Sequence, residues 1–184
     1  MSNSWVLKIV LSVLVLCLLP VAAYSRLGES LEGNSTRYGQ PVNNPTDSIR
    51  PLLSNAENRT YRYQGWQVRI GYLNGHAVRL VYSKIPRSGV SPVIKDDELY
   101  AVLKAEQHGG KWKKLRAASL FSRKNSGNKL FDHAPLRWKN TNNCIAYSLM
   151  GRMSVFVEAP EAVMWEQALA HEKEVQRKES IPQF

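Results

Sequence analysis

The stretch YRYQGWQVRIGYLNGHAVRLVYSK, Tyr61 to Lys84, decides the fold class. Trp66, Val68, Ile70 and Tyr72 alternate with Gln67, Arg69 and Gly71, the period of two that puts successive side chains on opposite faces of a strand. Val78, Leu80 and Tyr82 repeat that period beyond Asn74-Gly75, a dipeptide that tolerates positive φ and so favours a hairpin. A two-residue turn would set Ile70 opposite Arg79 and cross the apolar face with the polar one. The loop that keeps the faces together has three residues, Leu73-Asn74-Gly75, with Gly75 left-handed. It pairs Trp66 with Tyr82, Val68 with Leu80, Ile70 with Val78 and Tyr72 with His76. It also sets Arg69 opposite Arg79, where like charges repel. Two outcomes are open for Arg69 and Arg79: both splay into water, or they form a hairpin anion site that brackets an acidic side chain or a ligand anion.

Farther along, IKDDELYAVLKAEQHGG from Ile94 reads as a helix. Asp96, Asp97 and Glu98 sit at its positive end, Leu99, Val102 and Leu103 form the apolar stripe, and Gly109-Gly110 stops it. CIAYSLMGRMSVFVEA reads as a second hairpin turning at Gly151-Arg152, and PEAVMWEQALAHEKEVQRK as a closing amphipathic helix opened by Pro160. The intervening KWKKLRAASLFSRKNSGNKLFDHAPLRWKN sets Trp112, Leu115, Leu120, Phe121 and Trp138 among cations and fits either strand segments or a helical turn. Residues 24–60, rich in Gly, Pro, Asn, Ser and Thr, have room for a short helix near Leu27 to Leu31 and a turn-rich connector. The expected architecture is an α+β domain over 61–178, an antiparallel sheet built from two hairpins and packed by two or three helices, with a tail at 179–184.

Residues 1–23 have the layout of a signal peptide: Lys8, an apolar run from Ile9 to Leu19, Pro20, then small residues. The run falls short of the roughly 20 apolar residues that span a bilayer. Val21 and Ala23 place cleavage after Ala23, with Ser25 as the second choice. The expected location is exported, periplasmic or secreted; the alternative is a single-pass protein anchored in the inner membrane by a retained segment. Leu16 before Cys17 is bulky where a lipoprotein motif needs a small residue. Cleavage at Ala23 removes Cys17 and leaves Cys144, so the mature chain forms no internal disulfide.

Of the 184 residues, 43% are hydrophobic and 22% charged, with 25 Lys and Arg against 15 Asp and Glu, a formal +10. The excess concentrates between Lys104 and Lys139, where ten cations face Glu106 and Asp132. Lys111, Lys113, Lys114, Arg116, Arg123, Lys124 and Lys139, interleaved with Trp112 and Trp138, form the candidate surface for an anionic envelope polymer or lipid headgroup; a protein partner is the other option, and export disfavours nucleic acid. The competing reading is a solvated cationic face whose tryptophans belong to the core.

Catalytic and metal chemistry find little support in the sequence. His76, His108, His133 and His171 lack a second ligand at metal-site spacing, and Cys144 lies in an apolar run. Asp96 and Asp97 diverge by about 100° on a helix, too far to flank one bond. Gly109-Gly110 ends a helix where a phosphate loop begins one. The sequence therefore reads as non-enzymatic, with no cofactor and no metal; the remote alternative is an enzyme of unknown class whose site is assembled from scattered residues. Asn34 and Asn58 head glycosylation sequons.

The order SRLGES, RYGQP, YQGWQVRIGYLNGHAVRLVYSK, DDELYAVLKAEQHGGKW resembles a group of small exported bacterial proteins of unassigned function. In that group a short helix, a hairpin around a Gly-aromatic pair, a second helix and a G--W motif follow one another. The amino-terminal part is also similar to small outer-membrane assembly lipoproteins, whose helices pack on an antiparallel sheet. These resemblances imply export and an α+β fold; they carry no catalytic residue across.

Overall fold

The computed structural model describes residues 26–116 and 126–180. It contains α1 (Leu31–Tyr38), α2 (Pro45–Ile49), β1 (Glu57–Tyr63), β2 (Trp66–Leu73), β3 (His76–Lys84), α3 (Asp96–Ala105), β4 (Trp112–Leu115), α4 (Lys129–His133), β5 (Leu136–Asn140), β6 (Ile145–Leu149), β7 (Ser154–Glu158) and α5 (Pro160–Glu179). The strands form one antiparallel sheet in the order β1-β2-β3-β7-β6-β5-β4. An α+β fold on an antiparallel sheet is therefore present, but the sheet exceeds two hairpins. β1 adds outside β2, β5 and β4 add outside β6, and the two halves join where β3 pairs with β7. β1 escapes a pattern-based reading because of its seven residues only Thr60 and Tyr61 are buried.

The first hairpin solves its register differently from the three-residue expectation. Leu73 pairs with His76 across a two-residue Asn74-Gly75 turn, with φ of 51° and 77° at the two turn residues, as a type I′ turn requires. Gly75 is left-handed as expected. Tyr72 then pairs with Ala77 while Gly71 pairs with Arg79, so Val78 is the extra residue of a β-bulge. The bulge performs the correction that the longer loop was expected to make. It realigns Ile70 with Leu80 and Val68 with Tyr82, and it turns Arg79 away from the apolar face. Arg69 consequently lies opposite Val81, not opposite Arg79.

One face of the sheet carries Val68, Ile70, Leu80, Tyr82, Val155, Val157, Ala146 and Trp138, packed beneath Leu27, Tyr38, Ile94, Leu99, Val102 and Leu103. The other carries Ile145, Tyr147 and Phe156 beneath Phe131 and Val163, with a neighbouring cluster of Leu53, Val78 and Ala162. Helices thus cover both faces. The short amino-terminal helix lies at Leu31–Tyr38 and not near Leu27–Leu31, because Gly28 at φ 82° is incompatible with a helix and the Ser30 hydroxyl accepts from the Gly33 amide as N-cap. Residues 26–60, expected as a connector outside the domain, are integral to it: Leu27, Tyr38 and Leu53 are buried, and Gly28 N–H donates to the Ala77 carbonyl. The second half of α5, from Ala170 onward, is exposed.

Gly71 shows how closely the connector packs. A Cβ there would lie 2.8 Å from Leu53 Cβ, on the face where the 51–56 segment crosses the strand. Gly71→Ala is expected to destabilise the domain by about 1–3 kcal/mol through overpacking, measured as a lower urea midpoint; an unchanged midpoint would show that the 51–56 segment is not held against β2.

Candidate functional site

Register places functional side chains in rows. On the second face one row reads Lys113, Lys139, Ile145, Glu158, Arg79, Gly71, Asn58, from the β4 edge to the β1 edge. The next reads Leu115, Arg137, Tyr147, Phe156, Val81, Arg69, Thr60. Charge is therefore distributed across this face rather than confined to its rim.

Glu158, with no exposed surface, lies at the seam between the sheet halves. Its carboxylate accepts from Tyr147 OH at 2.5 Å, Asn128 Nδ2 at 2.8 Å and Arg79 Nη2 at 3.2 Å. Arg79 also donates through Nη1 to the Leu52 carbonyl at 2.8 Å and to Glu166 of α5 at 3.2 Å. Arg69 bonds Asp47 at 2.8 Å and the Arg50 carbonyl at 2.9 Å. Of the two outcomes open for this pair, neither guanidinium splays into water; the carboxylates that bracket them belong to the chain. The hairpin anion site is filled by Asp47, Glu158 and Glu166.

The first face has its own sealed acid. Glu106, also without exposed surface, accepts from Tyr82 OH at 2.6 Å, Leu27 N–H at 3.2 Å and Arg26 Nη1 at 3.4 Å. Tyr82 OH lies 3.3 Å from Tyr38 OH, and Tyr61 OH lies 3.2 Å from Tyr72 OH. Read from sequence, Glu106 was one of two counter-charges in a basic segment; its burial has no local sequence signal, because the tyrosine that fixes it is 24 positions away. Both acids are satisfied internally, which makes them structural anchors with no lone pair turned to solvent chemistry.

The basic segment divides. Trp138 is 3% exposed and belongs to the core, and Trp112, packed against the same cluster, donates Nε1–H to the Leu103 carbonyl at 2.7 Å. Neither ring is presented as a stacking surface. Lys113 of the edge strand pairs directly with Lys139, and both are exposed, as are Lys111, Lys114 and Arg116. None of these five forms an ion pair among the described residues. Arg123 and Lys124 lie outside the described residues. Sequence reasoning missed Arg137 as distinct from its neighbours: it is buried, beneath Lys139 on the same face.

Among the described residues no group of three or more His, Cys, Asp or Glu converges. The Cys144 thiol is buried, which pushes its pKa up and away from thiolate chemistry. A cleft of about 280 Å³ between the Asn74 turn and Trp165 is lined by Asn55, Ala56, Tyr72 and Leu73, with Glu57 its lone carboxylate. Both sequon amides are engaged: Asn34, fully buried, donates to the Ser30 carbonyl, and Asn58 donates to the Leu53 and Ala56 carbonyls. No helix among the described residues is long and apolar enough to cross a membrane.

No family model matches the chain, and neither a curated protein nor a solved structure does.

Burial raises the phenol pKa of Tyr38, Tyr72, Tyr82 and Tyr147 above its ordinary value, and the adjacent Glu106 and Glu158 push Tyr82 and Tyr147 further. A raised folded-state pKa leaves stability intact below the unfolded value near pH 10 and erodes it above, where only the unfolded chain ionises. Alkaline titration is therefore expected to show tyrosinate absorbance from these four rings rising together with cooperative unfolding. Independent titration of all eight tyrosines near pH 10 before unfolding would contradict the buried network.

Proposed function

We propose that this chain is an exported, non-enzymatic protein that binds an anionic component of a bacterial envelope through the β4–β5 margin of its sheet. The observation that carries this reading is the cross-strand pairing of Lys113 with Lys139, neither of which forms an ion pair among the described residues. Like charges directly opposite on a sheet are destabilising. Edge protection accounts for part of the pattern, since a short edge strand bearing lysines resists pairing with other chains. It accounts for Lys113 and Lys114 on β4. Lys139 lies one strand inward, where it protects no edge, so its charge opposite Lys113 calls for an external anion. Residues 117–125, which follow this margin in the chain, contain no Asp or Glu to supply one.

Lys139→Thr separates this reading from a merely solvated face. It is expected to raise stability by up to about 1 kcal/mol by removing the repulsion, and to weaken binding to anionic envelope extracts. Charge reversal at Lys111, Lys113, Lys114 and Arg116 is expected to abolish that binding and flatten its salt dependence. Retention unchanged by both substitutions, relative to reversal of Lys173 and Lys178 on α5, would return the margin to a solvated surface.

Export rests on the leader layout of residues 1–23 and on the docking of the chain immediately beyond it, Arg26 against Glu106 at 3.4 Å. Mass spectrometry of the protein from its native host is expected to find Tyr24 as the first residue. An intact Met1 in the membrane fraction would replace this reading with the anchored one.

A further inference from the structure

We propose that the anion at the β4–β5 margin is the phosphate of a linear phosphate-bearing polymer, seated over Lys113 and Lys139 in the field of the buried Arg137 guanidinium. This rests on the reading of that margin as an anion-binding surface and names its ligand class.

Arg137 is 8% exposed. Its Nη1 donates to the Asp132 carbonyl at 3.3 Å and its Nη2 to the Arg116 carbonyl at 2.8 Å, its guanidinium carbon lies 5.6 Å from the Phe131 ring centre, and its Nε has no partner. Among the described residues no carboxylate pairs with it. The buried or half-buried arginines Arg26, Arg69 and Arg79 are each compensated: Arg26 by Glu106 at 3.4 Å, Arg69 by Asp47 at 2.8 Å, and Arg79 by Glu158 and Glu166 at 3.2 Å. The nearby Asp132 carboxylate accepts from Ser126 N–H instead. A buried guanidinium without a counter-ion costs stability, and this one lies two residues from Lys139 on the same face, about 7 Å along the strand. Three cationic residues thus lie on one face of two adjoining strands.

The donors within reach select the chemistry. Planar carboxylates are recognised best by an open guanidinium fork, and the Arg137 fork is closed by two carbonyls. What β4 and β5 themselves expose on this face is a pair of ammonium groups, Lys113 and Lys139, point charges that suit the several oxygens of a phosphate. Trp112 and Trp138 are turned into the core, so the margin offers no platform on which nucleobases would stack. Lys111 lies just before β4, two residues ahead of Lys113, a linear arrangement that follows a chain rather than a planar membrane.

The test titrates the purified exported chain by calorimetry with inorganic polyphosphate, with polyglutamate of equal charge, and with phosphatidylglycerol vesicles. Polyphosphate is expected to bind about tenfold or more tightly than polyglutamate. Arg137→Met is expected to remove about tenfold of that affinity and Arg137→Lys to restore most of it. Because Arg137→Met also deletes two hydrogen bonds, the exposed double substitution Lys113→Met with Lys139→Met carries the same expected loss in a chain whose core is untouched. Equal affinity for the two polymers or preference for vesicles would overturn the phosphate assignment while leaving an anion-binding margin standing, whereas full affinity in the double variant would overturn the margin itself and with it the assignment. Absence of binding to any of the three polyanions would overturn both.

Discussion

The sheet depends on a carboxylate buried where its two halves meet. Glu158 ends β7, and β7 is the strand by which the β4–β7 half joins β3. An unpaired carboxylate there would cost several kcal/mol of desolvation, so its position requires donors from both halves. Arg79 comes from β3, Tyr147 from β6 and Asn128 from the cap of α4. The bulge at Val78 makes this possible. Without it the two-residue turn would carry Arg79 to the face of Ile70 and leave Glu158 without its cation. Turn chemistry, register and long-range pairing are thus one constraint, and Glu166 extends it to α5, where it binds Arg79 and the Ser54 amide.

Local pattern made much of this legible and left the assembly unread. Strands at Trp66–Leu73 and His76–Lys84, the helix from Asp96, the Ile145–Glu158 hairpin and the Pro160 helix all follow from alternation, caps and stops. The join of β3 to β7 does not, because alternation records which face a residue occupies and not which strand lies beside it. β1 was hidden for a different reason. At the sheet margin it buries two adjacent residues, and its side chains serve the 41–59 segment, as when Thr60 donates to Asp47 at 2.6 Å. The register expectation failed instructively: it treated the strands as regular, whereas a bulge corrects facing at the cost of one unpaired residue.

Of the site, the sequence revealed the charge and not its compensation. Arg69 and Arg79 were visible as a like-charged pair, and each is neutralised by carboxylates from Asp47, Glu158 and Glu166, which are 22, 79 and 87 positions away respectively. Such separations leave no local trace. The tryptophans of the basic segment misled in the opposite direction. Their interleaving with lysines imitates a stacking surface, but on a strand it is the period of two that sends Trp112 and Trp138 to the core and Lys113 and Lys139 outward.

The β4–β5 margin departs from this pattern of compensation. Desolvated positive charge is matched by negative charge at Arg26, Arg69 and Arg79, so the fold has the means to compensate a cation wherever its stability demands it. At Arg137 it uses neutral carbonyls and an aromatic ring instead, and it sets two lysines face to face beside it. Nothing in the packing of β4 against β5 requires that choice, since threonine or valine at Lys139 would suit the strand better. The cost is confined to the four-residue edge strand, farthest from the Glu158 seam, where repulsion weakens the fewest contacts. Stability and charge are thereby segregated: the seam carries the fold, and the margin retains a field that the fold itself does not use.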